Sequence, residues 1–311
     1  MRLIEKRKEF EKSKLSKWEF AHQMMGENHH YLWEYAEYIS DTDIEEIRIT
    51  KDGVFFDCGD GVVLTCIEGD ERSMPMDIIN FHSYEKSNME IIEKVLDRVA
   101  ASGTFFDIGA NIGYTSIRWA KKFPNCKVFS FELMPKTFEI LKKNVQKNGV
   151  ANQVNIYNVG VADSDKKIEC YYYPWVTANS SLENIQDRAD AEVITADCVA
   201  LDLFKEISSV KVDYIKIDVE GAELPAFKGM KEILNKNRPV VVAELLRTYS
   251  AKHGYHPNEV LELFREMGYC CIGLDDYRLD VVDDMSSTEY RNFMFLNEEK
   301  HRDVISMLLN N

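Results

Sequence analysis

Carboxylates stand where the apolar runs of this 311-residue chain stop. Phe105-Phe106 runs into Asp107, Val128-Phe129-Ser130-Phe131 into Glu132, and Tyr214-Ile215-Lys216-Ile217 into Asp218, with Glu220 two residues on. A third run gives out near Gly160-Val161-Ala162-Asp163, and Val240-Val241-Val242-Ala243 ends on Glu244. Acids so placed can accept ribose hydroxyls, balance a cationic ligand, or take a proton from a reacting hydroxyl. A single strand-end acid is often no more than a helix cap favoured by the macrodipole. Recurrence at nearly every run end favours a shared site, because ligands of open α/β sheets sit beyond the carboxyl ends of the strands.

The first of these acids opens a glycine turn, Asp107-Ile108-Gly109-Ala110-Asn111-Ile112-Gly113-Tyr114. Gly109 permits a left-handed turn and close approach of a ligand, and Gly113 lets the following helix press against the strand. The spacing is D-x-G-x-x-x-G, whereas the dinucleotide fingerprint is G-x-G-x-x-G. The acid before the turn suits a ligand bearing ammonium and sulfonium groups, such as S-adenosylmethionine. Glu132 lies a little over twenty positions beyond the turn, where an acid holds both ribose hydroxyls, and Leu133 beside it can pack on adenine.

With Lys216-Ile217-Asp218-Val219-Glu220-Gly221-Ala222-Glu223, the glycine turn resembles the FkbM-type family of S-adenosylmethionine-dependent methyltransferases, from about Tyr84 to Cys271. That resemblance implies a class I, Rossmann-like, doubly wound α/β fold with a seven-stranded sheet. It also implies methyl transfer to hydroxyls, often of sugars or other secondary-metabolite scaffolds. On this reading Asp107, Gly109, Asn111, Gly113, Tyr114, Glu132, Leu133, Val161, Ala162, Asp163 and Asp218 form the cofactor site. The family's usual glutamate-proline after the second strand appears here as Glu132-Leu133, with Pro135 kept.

A hydroxyl acceptor must lose its proton, so a base or an acidifying metal is expected. Asp218, Glu220, Glu244 and His253 are the candidates, and Lys216 is a partly buried partner for the acids. Crowded acids either raise a pKa or recruit magnesium; the metal-free base, Asp218, is favoured. His82 and His256 read as solvated loop histidines.

The elements that must carry these residues alternate strand and helix from residue 84 to 311, as in a mostly parallel sheet. Residues 1–83 read as an appended cap that helps select the acceptor. Its helices place Leu15, Trp18 and Met25 on one face and Tyr31, Trp33, Tyr35 and Tyr38 on another, a candidate contact between copies of the chain. A three-stranded meander spans Ile44 to Ile67, followed by a loop through Met74-Pro75-Met76. One helix is expected from Gly221 to Asn235, and residues 163–200 are read as an insertion carrying Tyr171-Tyr172-Tyr173-Pro174-Trp175 and the polar Thr177–Ser181.

The net charge of −15 lacks the basic face that a nucleic-acid partner requires. Seven cysteines without a C-x-x-C, no signal-like leader and no long apolar run predict reduced thiols, no membrane span and a cytoplasmic location. Other readings are a methyltransferase for an amine or phenol, or a catalytically idle S-adenosylmethionine-binding protein. A nicotinamide dehydrogenase is opposed by the glycine spacing.

Overall fold

The structure is a computed structural model that describes residues 2–173 and 191–309. Pro174, Trp175 and the polar Thr177–Ser181 run lie outside the described residues. Three short helices open the chain: α1 (Leu3–Phe10), α2 (Lys17–Met24) and, after a π-helical turn at Met25–His29, α3 (Tyr31–Tyr38). Met24 is the single buried residue of this arm, so Leu15, Trp18, Met25 and the aromatic face of α3 stand in solvent. Strands β1 (Glu46–Thr50), β2 (Gly53–Asp57) and β3 (Val63–Thr65) form the expected antiparallel meander. The stretch expected as a loop is instead α4 (Met74–Phe81). Pro75 starts this helix, where its fixed φ and missing N–H cost nothing.

Helix α5 (Lys86–Val99) leads into β4 (Thr104–Ile108), followed by α6 (Tyr114–Lys122), β5 (Lys127–Phe131), α7 (Pro135–Lys147) and β6 (Val154–Tyr157). The insertion is no plain loop: β7 (Gly160–Val161), β8 (Lys166–Tyr172) and β9 (Glu192–Val199) make a small sheet ordered β7-β9-β8. Strand β10 (Tyr214–Ile217) then feeds α8 (Glu223–Lys228) and α9 (Lys231–Asn237). These replace the single helix expected there. A Cβ on Gly229 would lie 1.8 Å from the Ala162 carbonyl oxygen, and the helix breaks at that close approach. Strand β11 (Val240–Glu244), α10 (Arg247–Lys252), α11 (Asn258–Glu266), β12 (Tyr269–Asp275), β13 (Arg278–Val281), β14 (Asn292–Asn297) and α12 (Arg302–Leu309) complete the chain.

The main sheet runs β13-β12-β14-β11-β10-β4-β5-β6. Strands β11, β10, β4, β5 and β6 are parallel, and β14 enters antiparallel between β11 and β12. Among the described residues the sheet has eight strands where seven were expected. The eighth, β13, hairpins back through Asp276 and Tyr277, both at positive φ (44° and 68°). A tyrosine there carries none of the Asn-Gly chemistry that signals such a turn. Strand order reverses at β4, and this switch point sets the cleft.

Alternating strand residues build two apolar layers. Phe105, Tyr214, Val240 and Val242 pack into one; Phe106, Ile215, Val241 and Ala243 into the other. The first layer also takes in Phe56, Cys58, Val62 and Leu64 of the meander, so meander and sheet share one core. Two asparagines of α7 bind the meander's edge. Asn144 Oδ1 accepts from the Thr65 amide at 3.0 Å and its Nδ2 donates to Ile112 O at 2.8 Å, while Asn148 brackets Val63. All seven cysteines are free; Cys66 and Cys270 are half-buried and the rest buried. Burial pushes Cys126 up to about 12 and Cys170 and Cys198 up to about 11.

Candidate active site

Beyond β4 the chain turns at Gly109 with φ 81°, and a Cβ there would lie 1.8 Å from the Asp218 carbonyl oxygen. The turns after β4 and β10 therefore touch backbone to backbone. Gly113, at φ 94°, sets α6 against Leu141, whose Cδ1 a Cβ would meet at 2.5 Å. Asp107 is fully buried beneath this turn and does not line the cleft. The Ser116 hydroxyl donates to it, and the Ser116 and Ser130 hydroxyls lie 2.7 Å apart. Burial raises the Asp107 pKa against the opposing charge of Lys216, its neighbour in the β10 register. Asp107 thus ties the start of α6 to the sheet.

A cleft of about 420 Å³ opens above, lined by residues from both sides of the switch point. On the β5 side Glu132 accepts from the Asn111 amide at 2.9 Å and the Met134 amide at 2.8 Å. Burial pushes its pKa up to about 7, although both amides favour the carboxylate. Asn111 sits at φ 49°, and its buried Oδ1 has no hydrogen-bond partner among the described residues. Leu133, Val161 and Cys198 form an apolar wall, drawn so tightly around Gly160 that a Cβ would meet Cys198 Sγ at 2.7 Å and Leu133 Cδ1 at 2.8 Å. Ala162 and Asp163 are outside the lining; Asp163 holds Lys166 Nζ at 2.8 Å. Tyr114 lines the cleft and Gly113 does not.

On the β10 side Asp218, Glu220 and Glu244 come together. Lys216 Nζ stands 3.2 Å from Asp218 Oδ2. Burial opposes the Lys216 charge, but Asp218, Asp107 and Glu85 outweigh it and raise its pKa. Glu244 is raised well above the carboxylate range, first by burial and then by the nearby charge of Asp218. Glu220, at φ 55°, is raised by burial and then by Asp218 and Glu244. Its loop is braced from below by Glu223, which accepts from the Gly221 amide at 3.0 Å and the Tyr255 hydroxyl at 2.9 Å. His253 caps α10 with its ring against Gly221, the residue after Glu220, and it does not line the cleft. His256 accepts from the Asn258 amide at 3.1 Å at the start of α11.

Sequence reasoning missed residues that reach the cleft from outside the sheet. Tyr84 and Glu85 arrive from the link before α5; Glu85, at φ 45°, accepts from Asn292 Nδ2 at 3.2 Å, and burial raises its pKa. Arg72, Asp77, Tyr249 and Arg291 line the outer part. No periodicity or motif marks these positions; they are legible only once α4, α10 and β14 are placed. Among the described residues no group of three or more His, Cys, Asp or Glu is arranged to hold a metal ion. Among them, too, no helix is long and apolar enough to cross a membrane.

Known proteins match part of this chain. The family model described as the methyltransferase FkbM domain matches residues 107–271. The methyltransferase sdnD of Sordaria araneosa is 29% identical over 154 residues, 40% of this chain and 60% of its own length. The hexuronic acid methyltransferase AglP of Haloferax volcanii is 24% identical over 181 residues, 58% of this chain and 69% of its own. The crystal structure of methyltransferase FkbM from Methylobacillus flagellatus is similar with a TM-score of 0.42 and 14% identity, over 63% of this chain and 44% of that one.

Proposed function

The chain belongs to the FkbM methyltransferase family, and from that premise we propose that it methylates a hydroxyl of a sugar or glycan precursor with S-adenosylmethionine as donor. The observation that carries this reading is that Glu132 and Asp218, on opposite sides of the switch point, line one cleft. The residues present fit the donor: Glu132 can accept from its ribose, the unpartnered Asn111 Oδ1 is free to accept, and Leu133 and Val161 wall the adenine side. When bound, the donor supplies an electrophilic methyl group on sulfur, and its transfer to oxygen releases the hydroxyl proton. Asp218 orients the acceptor hydroxyl and takes that proton. Lys216, 3.2 Å from Asp218 Oδ2, holds that carboxylate in place, and Glu244 and Glu220, which hold protons more tightly than isolated carboxyls, lie beside it. A relative named for hexuronic acid supports a sugar acceptor. Residues 1–83 contribute to acceptor choice, a division of labour supported by Arg72, Met74 and Asp77 on the outer cleft wall. Seven free thiols suit a cytoplasmic location, and the acidic chain suits neither nucleic-acid nor membrane partners.

Calorimetry with S-adenosylmethionine and NAD, followed by turnover on a panel of sugars, tests the reading. Asp218→Asn is expected to retain donor binding while losing at least about 10²-fold in turnover. Tighter binding of NAD, or full turnover in Asp218→Asn, would overturn it. Activity lost in chelator and restored by magnesium would move the proton's release to a metal.

A further inference from the structure

We propose that two copies of this chain pair through the α1–α3 arm, the basic opening stretch of each copy lying against the acidic aromatic stretch of the other. Ten of the seventeen exposed large apolar side chains among the described residues fall between Leu3 and Tyr38. Trp18 is 80% exposed and Trp33 64%. Scattered exposed apolar residues need no explanation, whereas such a concentration marks an interaction surface. Trp and Tyr are also the side chains that interface cores favour.

Charge says what the surface meets. Through Lys17 the chain has seven Lys and Arg against three Glu; from Trp18 to Tyr38 it has four Glu and no Lys or Arg. Among the described residues only Lys6 of those seven has an ion pair, with Glu27 at 2.6 Å. The arm therefore carries opposite charges on adjoining stretches, the basic one largely unpaired and the acidic one with Glu27 paired to Lys6 and Glu34 3.4 Å from His30 Nε2. A two-fold axis sets each stretch against its complement in the other copy, as a self-complementary interface requires. An anionic bilayer would attract the first stretch and repel the glutamates that share the aromatic surface. The arm is also preformed: Phe10 stacks on Phe20 with ring centroids 4.3 Å apart, folding α1 back on α2. Less ordering then remains to be done on pairing. The Tyr38 hydroxyl donates to Asn80 Oδ1 at 3.2 Å, anchoring the arm to α4, the helix that brings Met74 and Asp77 to the cleft.

Sedimentation equilibrium of the full chain at micromolar concentration tests this with two charge-exchange variants. One combines Lys12→Glu, Lys14→Glu and Lys17→Glu; the other combines Glu34→Lys and Glu37→Lys. The wild type is expected to be a dimer, each variant alone to associate at least ~tenfold more weakly, and their equimolar mixture to recover the dimer. Recovery is the readout that a merely misfolded arm cannot give. A monomeric wild type, variants that dimerise like the wild type, or a mixture that stays monomeric would each overturn the proposal. So would a monomer that cosediments with phosphatidylserine-containing vesicles, which would assign the arm to a lipid surface.

Discussion

At the residue scale the cleft depends on buried acids, and Glu132 is the one with the clearest geometry. Removing its carboxylate takes away a charged hydrogen-bond acceptor, so Glu132→Ala should weaken S-adenosylmethionine binding by roughly 1.5–3 kcal/mol, read by calorimetry. The same residue links stability to pH. Its carboxyl titrates near 4.5 in an unfolded chain and near 7 in the fold. Between those values the folded state keeps a proton that the unfolded state releases. The contribution is fully present below 4.5 and is lost as pH rises through 7. Measured against Glu132→Gln, which cannot ionise, the ligand-free wild type should lose stability from about pH 5 to about pH 8, by at most about 3 kcal/mol. Thermal melts across that range check the slope. Glu132, Asp218, Glu220 and Glu244 were legible because strand ends are readable from apolar runs. Glu85 was not, because a helix-start residue becomes a cleft residue only through the path of the chain around it. His253 packs against Gly221, next in the chain to Glu220, but does not line the cleft, a placement that no strand end announces.

At the element scale, the sequence could be read wherever period and turn chemistry agreed, as in the meander and the five parallel strands. It could not where tertiary packing overruled local signals. The break between α8 and α9 follows from the contact of Gly229 with Ala162, and β13 from a turn with two non-glycine residues at positive φ. The β4 turn offers a direct comparison of space with backbone strain. Gly149 has φ 70° and nothing within 4 Å of an added Cβ, so Gly149→Ala should lose about 1–2 kcal/mol from the left-handed conformation alone. Gly109→Ala combines that strain with a collision against the Asp218 carbonyl and should lose at least about 3 kcal/mol. Urea denaturation of the two variants separates the effects; equal losses would mean that the two turns do not touch.

At the scale of the whole molecule, packing divides the chain at a different place from motif reading. The meander and α4 share the core of the sheet through Phe56, Val62, Leu64 and Ile78, whereas the arm before them buries Met24 alone. Removing residues 2–38 should therefore leave melting within a few degrees of the full chain, a loss under about 1 kcal/mol. Removing residues 1–83 should leave no cooperative transition, since it strips one wall from the apolar layer. Calorimetric scans of both truncations decide between them. Motifs could not show this, because they mark where ligands bind and are silent about which apolar faces meet.

The seven thiols give the chain an internal record of its own breathing. Alkylating reagents attack the thiolate, and burial withholds both access and ionisation. Labelling of the five buried thiols is therefore paced by local opening rather than by the reagent, while Cys66 and Cys270 are half-buried and react sooner. Cys58 and Cys271, in opposite layers of the core, keep time for the fold as a whole. Cys198 sits on the cleft wall, so its labelling rate tells an occupied cleft from an empty one without any assay of turnover.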